Sequence, residues 1–316
     1  MNYFKNMNNY ELDRFHSVIF FIITVLLTGL SLFGETYDTL DQKNMPGIFS
    51  IICFFLIATV GVSHGALDNL KGAELLKKFK IKKISFFYLS YLIVASLVIL
   101  FWIIFPTFTI MMFLILASYH FGKEDNVQFY VFEKIPRTKF KSFFLFLKGS
   151  IVISAPLFFH PIETVEIFEF LNVELSISQN LVGIFIILGL ASNYFLNEYW
   201  GQATLDTLSV LFLNLVFHPL IAFTLYFCFL HSIRHSISLM HELNKKDLKK
   251  GLHLFLKKAI PLTTITAFLF LLGIFLLNNY YSMQVSILKV IFIGLASLTF
   301  PHILLEYLLE KNEKRT

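Results

Sequence analysis

Charge is scarce in this chain. Asp, Glu, Lys and Arg make up 15% of its 316 residues, where a soluble domain carries about a quarter. That deficit argues against a water-soluble globule. Cysteine is almost missing too. Cys53 and Cys228 lie in separate apolar segments, show no metal-ligand spacing and imply no disulfide framework. No cleavable leader is evident, because the N-terminus is short and polar and the first apolar run, His16 to Phe33, is long enough to persist as a helix. The net charge of +5 does not indicate nucleic-acid binding, since the basic residues are confined to particular loops.

What the chain has in place of charge is hydrocarbon. Hydrophobic residues account for 56% of it and the mean hydropathy is +0.70. They form runs of about 20, the length a helix needs to cross a bilayer. The 39 Phe are ordinary in lipid-facing helices and do not by themselves signal an aromatic cavity. The expected fold is all-α: a polytopic membrane bundle of about ten helices, one integral-membrane domain over residues 1–316. The expected helices are 15–34, 46–70, 84–105, 107–122, 143–160, 180–197, 203–217, 219–241, 258–278 and 286–309. Pro106 and Pro219 mark tight turns, because neither can continue a preceding helix.

Loop charges give a direction. Lys71, Lys77, Lys78, Lys80, Lys82 and Lys83 follow the second helix, and Lys123, Lys134, Arg137, Lys139, Lys141 and Lys148 the fourth. Lys245, Lys246, Lys249, Lys250, Lys257 and Lys258 follow the eighth, and the two termini add Lys5, Arg14, Lys311, Lys314 and Arg315. The alternate loops carry Glu35, Asp38 and Asp41, then Glu163, Glu166, Glu169 and Glu174. The positive-inside rule then places both termini in the cytoplasm, which requires an even number of spans. A multi-pass protein of the cell's inner membrane is expected, with membrane lipid as its solvent.

Histidine stands out against this background. His64 lies in Gly-Val-Ser-His64-Gly-Ala-Leu-Asp68, and His120 in Ser-Tyr-His120-Phe-Gly-Lys-Glu124-Asp125. His231 and His235 lie in His231-Ser-Ile-Arg234-His235, and His302 follows Pro301. Ionisable groups inside a membrane are costly and usually mark a site. All five fall on even-numbered helices at comparable depth in the cytoplasmic half. His160 and His218 belong to the opposite side, and His16, His241 and His253 to the cytoplasmic margin. His231 and His235, four apart, share a helix face and can bind one ion together. Neutral imidazoles suit iron, copper or zinc rather than magnesium or calcium.

Acids accompany the histidines. Asp68, Glu124 and Glu306 each lie four residues after a histidine, and Asp125 adjoins Glu124. Carboxylates often accept the second ring N–H of a metal-bound histidine. Asp68 and Asp125 are expected in that role; Glu124 and Glu306 fit it equally with solvated interfacial acids. Arg234, deep in the eighth helix, should pair with one of these acids. Gly65 and Gly122 would permit close helix approach, and Pro301 would loosen its helix and free a carbonyl.

Together, His-Gly-x-x-Asp at 64–68, His-Phe-Gly-x-x-Asp at 120–125, the segment His218-Pro-Leu to His235, and Pro301-His302 resemble the Brp/Blh family of integral-membrane β-carotene 15,15′-dioxygenases. The resemblance runs from the second to the tenth helix. It implies a non-haem Fe(II) held by His64, His120, His231 and His235, with His302 as a ligand or a supporting donor. It also implies cleavage of β-carotene by O₂ to two all-trans-retinal, supplied to a microbial rhodopsin. The Phe-, Leu- and Ile-rich walls leave open a hydroxylated carotenoid or an apocarotenal in place of β-carotene. Three other readings use the same histidine layer: a metal-ion or proton transporter, a haem protein, and a di-iron lipid oxidase. The di-iron oxidase needs several HxxxH or HxxHH clusters, and this chain has one.

Overall fold

The computed structural model describes residues 9–33, 47–126, 139–195, 200–245 and 247–313, including the backbone but not the side chain of His64. The expected loop charges Glu35, Asp38, Asp41, Lys134, Arg137 and Lys246, and the terminal Lys5, Lys314 and Arg315, lie outside the described residues, as does the side chain of Lys139. The described elements are α1 (Asn9–Phe33), α2 (Gly47–Lys78), α3 (Ser85–Ile104), α4 (Pro106–Glu124), α5 (Lys139–Phe159) and α6 (Pro161–Phe170). They continue with α7 (Gln179–Tyr194), α8 (Trp200–Val216), α9 (Pro219–Leu243), α10 (Leu248–Leu277) and α11 (Met283–Glu313). No strand occurs among the described residues.

Among the described residues, each of the ten expected segments falls on a helix. The exception to the expected loops is α6, which folds Glu163, Glu166 and Glu169 into a short helix. Pro106, Pro161 and Pro219 each start a helix, where a missing N–H is no loss. The residue ahead of each is out of the helical region: Phe105 at φ −133°, His160 at φ −132° and His218 at ψ 142°. His218 also caps α9, its Nδ1 accepting from the Leu220 N–H at 3.3 Å.

Polarity is inverted relative to a soluble protein. Leu26, Leu30, Ile103, Ile187, Phe268 and Phe275 are exposed, while Asp13, Asp68, Asp206, His231 and Arg234 are buried. In water such a surface would aggregate; in lipid it is the required one. Among the described residues, seven helices, α1, α2, α3, α5, α9, α10 and α11, are long and apolar enough to cross a membrane by length and composition. The chain therefore fits a helical membrane bundle.

Two of these helices are irregular where they carry histidine. α2 widens into a π turn over Ile57–Gly61 and tightens into a 3₁₀ turn over His64–Leu67. α9 widens over Tyr226–Ser232. Such turns are common at functional sites because they re-aim side chains and release backbone groups. Here the two wide turns meet, Ser232 Oγ donating to the Gly61 carbonyl at 2.9 Å, and α1 joins them through His16 Nε2, which donates to the Phe229 carbonyl at 2.9 Å. A Cβ on Gly61 would lie 2.6 Å from the Phe227 ring, so only glycine fits this crossing. Another close crossing joins α4 to α5, where a Cβ on Gly122 would strike the Leu145 carbonyl oxygen and one on Gly149 that of Ser118. Gly65 plays no such part, since nothing lies within 4 Å of where its Cβ would be.

Candidate metal centre

The wide turn of α9, the end of α4 and the second half of α11 bring four imidazoles together. The His120 ring centroid lies 5.4 Å from that of His231 and 5.2 Å from that of His302, and His302 lies 6.3 Å from His235. His120, His231 and His302 are each at least 96% buried. Phe121 meets the His231 ring edge-on at 4.9 Å and Phe227 stacks on it at 5.7 Å, so apolar rings wall the group. His64 enters by its backbone on the tight turn of α2, its side chain lying outside the described residues.

Behind the imidazoles stands a row of carboxylates. His231 Nδ1 is 2.8 Å from Asp125 Oδ1, His302 Nδ1 is 2.9 Å from both Asp68 oxygens, and His235 Nδ1 is 3.2 Å from Glu124 Oε2. A carboxylate at Nδ1 fixes that nitrogen as the donor and turns the ring's Nε2 edge the other way as an acceptor. This donor set fits a first-row transition metal. Glu306 lies closer in: its carboxylate is 3.7 Å from His302 Nε2 and 4.0 Å from His120 Nδ1. Ligand atoms of His120, His302 and Glu306 all fall within 4.8 Å of one another, so these three could themselves hold an ion.

Two of these pairings cross helices: Asp68 meets His302 and Glu124 meets His235, while Glu306 lies near the histidine four positions before it. Tyrosines that the sequence reading missed hold the acids in turn. Tyr226 donates to Asp125 Oδ2 at 2.7 Å, and the Tyr91 hydroxyl lies 3.1 Å from Asp68 Oδ2 and from the Leu298 carbonyl, just ahead of Pro301.

Arg234 corrects an expectation. Its ion partner is none of the four acids near the histidines but Asp206 of α8, reached by a two-pronged contact at 2.7 and 2.9 Å. Arg234 also donates to the Asp125 carbonyl at 3.2 Å and to Ser17 Oγ at 2.6 Å, tying α1, α4 and α8 to α9. Asp206 could have been found, being the single charged residue of α8. Three lysines taken as loop charges are likewise buried or partly so. Lys148 lies 3.9 Å from Asp206 and donates to Asn126 Oδ1 at 3.0 Å. Lys71 and Lys123 contact Glu306 at 3.3 and 3.4 Å, and Lys123 also reaches Glu310 at 2.6 Å. α2 and α4 run past their expected ends at residues 70 and 122 and turn Lys71 and Lys123 inward, and Lys148 lies well inside α5.

One cavity meets this centre. It holds about 720 Å³ and its near end is formed by Asp68, His120 and His302, a volume in the range of small-molecule sites. From there it follows α3, α10 and α11 between side chains such as Phe113, Phe223, Phe227, Phe270 and Ile293. Most of this wall is apolar, with Ser96, Thr263, Thr266 and Lys289 as scattered polar groups.

No solved structure matches the chain at a significant level. It is 29% identical over 269 residues to a protein named beta-carotene 15,15′-dioxygenase from the uncultured marine bacterium 66A03, an alignment covering 82% of this chain and 94% of that protein. The family model for beta-carotene 15,15′-dioxygenase matches residues 55–310, which takes in the clustered histidines, their acids and the cavity wall. The chain belongs to the β-carotene 15,15′-dioxygenase family.

Proposed function

We propose that this protein cleaves β-carotene at its central 15,15′ double bond with O₂, inside the bilayer, to give two molecules of all-trans-retinal. The observation that carries the reading is the apolar cavity whose one end is the imidazole layer. A hydrocarbon polyene partitions into lipid, and this cavity offers it a largely apolar wall that ends on His120 and His302. One C=C bond is replaced by two C=O bonds, with both oxygens drawn from O₂, so no external electrons are required.

The ion we assign is Fe(II), held by His120, His231, His235 and His302, with His64 joining on the family likeness and Glu306 at hand as a carboxylate ligand. When bound, the iron supplies the affinity for O₂ and the one-electron chemistry that a spin-paired polyene lacks. The protein's own part is separate. Asp125, Asp68 and Glu124 hold three imidazoles in one tautomer. Phe121 and Phe227 exclude water from the His231 ring. The cavity wall orients the polyene so that its middle lies beside the imidazoles. We place the enzyme in the cell's inner membrane as a single domain of ten spans with both termini cytoplasmic. Its product would serve a retinal-accepting protein such as a microbial rhodopsin.

The test is expression in cells that accumulate β-carotene. Bleaching with retinal formation is expected from the wild type, and loss of both from His120→Ala, His231→Ala and His235→Ala. Persistent orange colour with correctly inserted wild-type protein would overturn the proposal. Iron measured in the purified protein separates this reading from zinc, and the absence of a Soret band separates it from haem.

A further inference from the structure

The cavity beside the imidazoles is not enclosed on its lipid side. Leu92, Ile99 and Ile103 of α3 and Ile265 and Leu269 of α10 line it, yet each is between 42 and 73% exposed. Lining the cavity does not by itself expose a residue: Phe113, Phe270 and Leu295 line the same space and are at most 8% exposed. The five therefore form a rim, where the cavity wall turns out into the lipid-facing surface. α3 and α10 both pack against α11, so α11 is the floor of a cleft and these two helices are its sides. Leu92 and Ile103 are eleven positions apart, about 16 Å along the helix. The opening is a slot parallel to the helices.

Ion pairs close another direction. One turn beyond His302 on α11, Glu306 is held by Lys71 at 3.3 Å and by Lys123 at 3.4 Å, and Lys123 reaches on to Glu310 at 2.6 Å. Parting these pairs for a hydrocarbon would leave buried charges without partners. A route through water would expose the whole apolar chain to it. The slot demands neither, because a polyene moving from lipid into an apolar cleft exchanges one hydrocarbon environment for another.

We propose that the cleft between α3 and α10 is the portal through which the polyene passes from the bilayer to the imidazoles, and through which both products return to it. This rests on the reading of the cavity as the polyene site. It gives the rim residues a role in uptake and release. It also commits the enzyme to substrate dissolved in its own membrane, with no carrier in water.

The experiment uses Ile99→Cys and Leu269→Cys, on the two sides of the slot, and Leu30→Cys on α1 as a control. Leu30 is exposed and is no part of the cavity wall. Cys53 and Cys228 are buried, so a bulky aromatic methanethiosulfonate reacts with the introduced thiol, and reduction removes it. Bicelle-embedded holoenzyme is mixed with β-carotene without O₂, and the pigment retained on the purified protein is followed with time. The label on Ile99→Cys or Leu269→Cys should slow uptake about ten-fold or more, and reduction should restore it. The label on Leu30→Cys should have no effect. Added after loading, the same two slot labels should slow loss of the pigment by a similar factor, which a label that merely filled the binding space would not do. Uptake and loss unchanged by both slot labels, or slowed equally in Leu30→Cys, overturn the portal and leave β-carotene cleavage standing. If the labels act as expected but admitting O₂ yields no retinal from the wild type, the cleavage reading fails and the portal stands. A wild type that takes up no β-carotene ends both.

Discussion

Replacing Asp206 by Ala should be among the most damaging single changes in this protein, and more damaging than removing its partner. Asp206 meets Arg234 through two contacts at 2.7 and 2.9 Å, with both side chains 3% exposed. Breaking such a pair by deleting one member costs about 3–5 kcal/mol, because the other charge is left buried and uncompensated. The structure sets the order of the two single variants. Without Asp206, both Arg234 and Lys148, 3.9 Å away, lose their carboxylate. Without Arg234, in Arg234→Met, Asp206 keeps Lys148 as a partner. Asp206→Ala should therefore cost near the upper end of that range and Arg234→Met near the lower, against a total stability of about 5–15 kcal/mol. The double variant should be more stable than the sum of the singles predicts, by more than about 1 kcal/mol. Denaturant unfolding of the bicelle-embedded protein, followed by near-ultraviolet circular dichroism, measures all three. Single variants each within about 0.5 kcal/mol of the wild type, or strict additivity, would refute the reasoning.

Loss of the acids that hold the rings should show in metal before it shows in fold. Asp125→Ala and Asp68→Ala are expected to lower iron affinity about 10–100-fold, read by competition with a chelator at unchanged helicity. Gly122→Ala should cost about 1–3 kcal/mol, because a Cβ there meets the Leu145 backbone and α4 must part from α5. Gly29→Ala, with nothing within 4 Å, should be neutral or stabilising, and a thermal melt compares the two. Ala95→Phe places a ring in the cavity wall away from the imidazoles. It should reduce kcat/KM for β-carotene at least ten-fold with iron content unchanged, and an equal loss of iron would argue against a tunnel separate from the metal.

The amino-acid order by itself determined the helical class, the positions of ten helices and the residues that gather at the centre. The physical reason is that lipid permits few backbone solutions and few polar groups. A run of about 20 apolar residues has to be a helix, and a histidine or aspartate inside such a run has to meet something. His120, His231, His235 and His302 were legible on those grounds, as were Asp68 and Asp125. Partnership was not legible. Spacing of four put Asp68, Glu124 and Glu306 near histidines without saying which ring each would meet; Asp68 meets His302 and Glu124 meets His235. The wide turns at Ile57–Gly61 and Tyr226–Ser232 shift the helical phase, and no periodicity announces them. The burial of Lys71, Lys123 and Lys148 was hidden for a similar reason. A lysine near a helix end reads as a loop charge until another helix places a carboxylate beside it. The cavity was decided by tertiary structure alone. Phe223, Phe270 and Lys289 come from three helices whose facing sides no single stretch of sequence specifies.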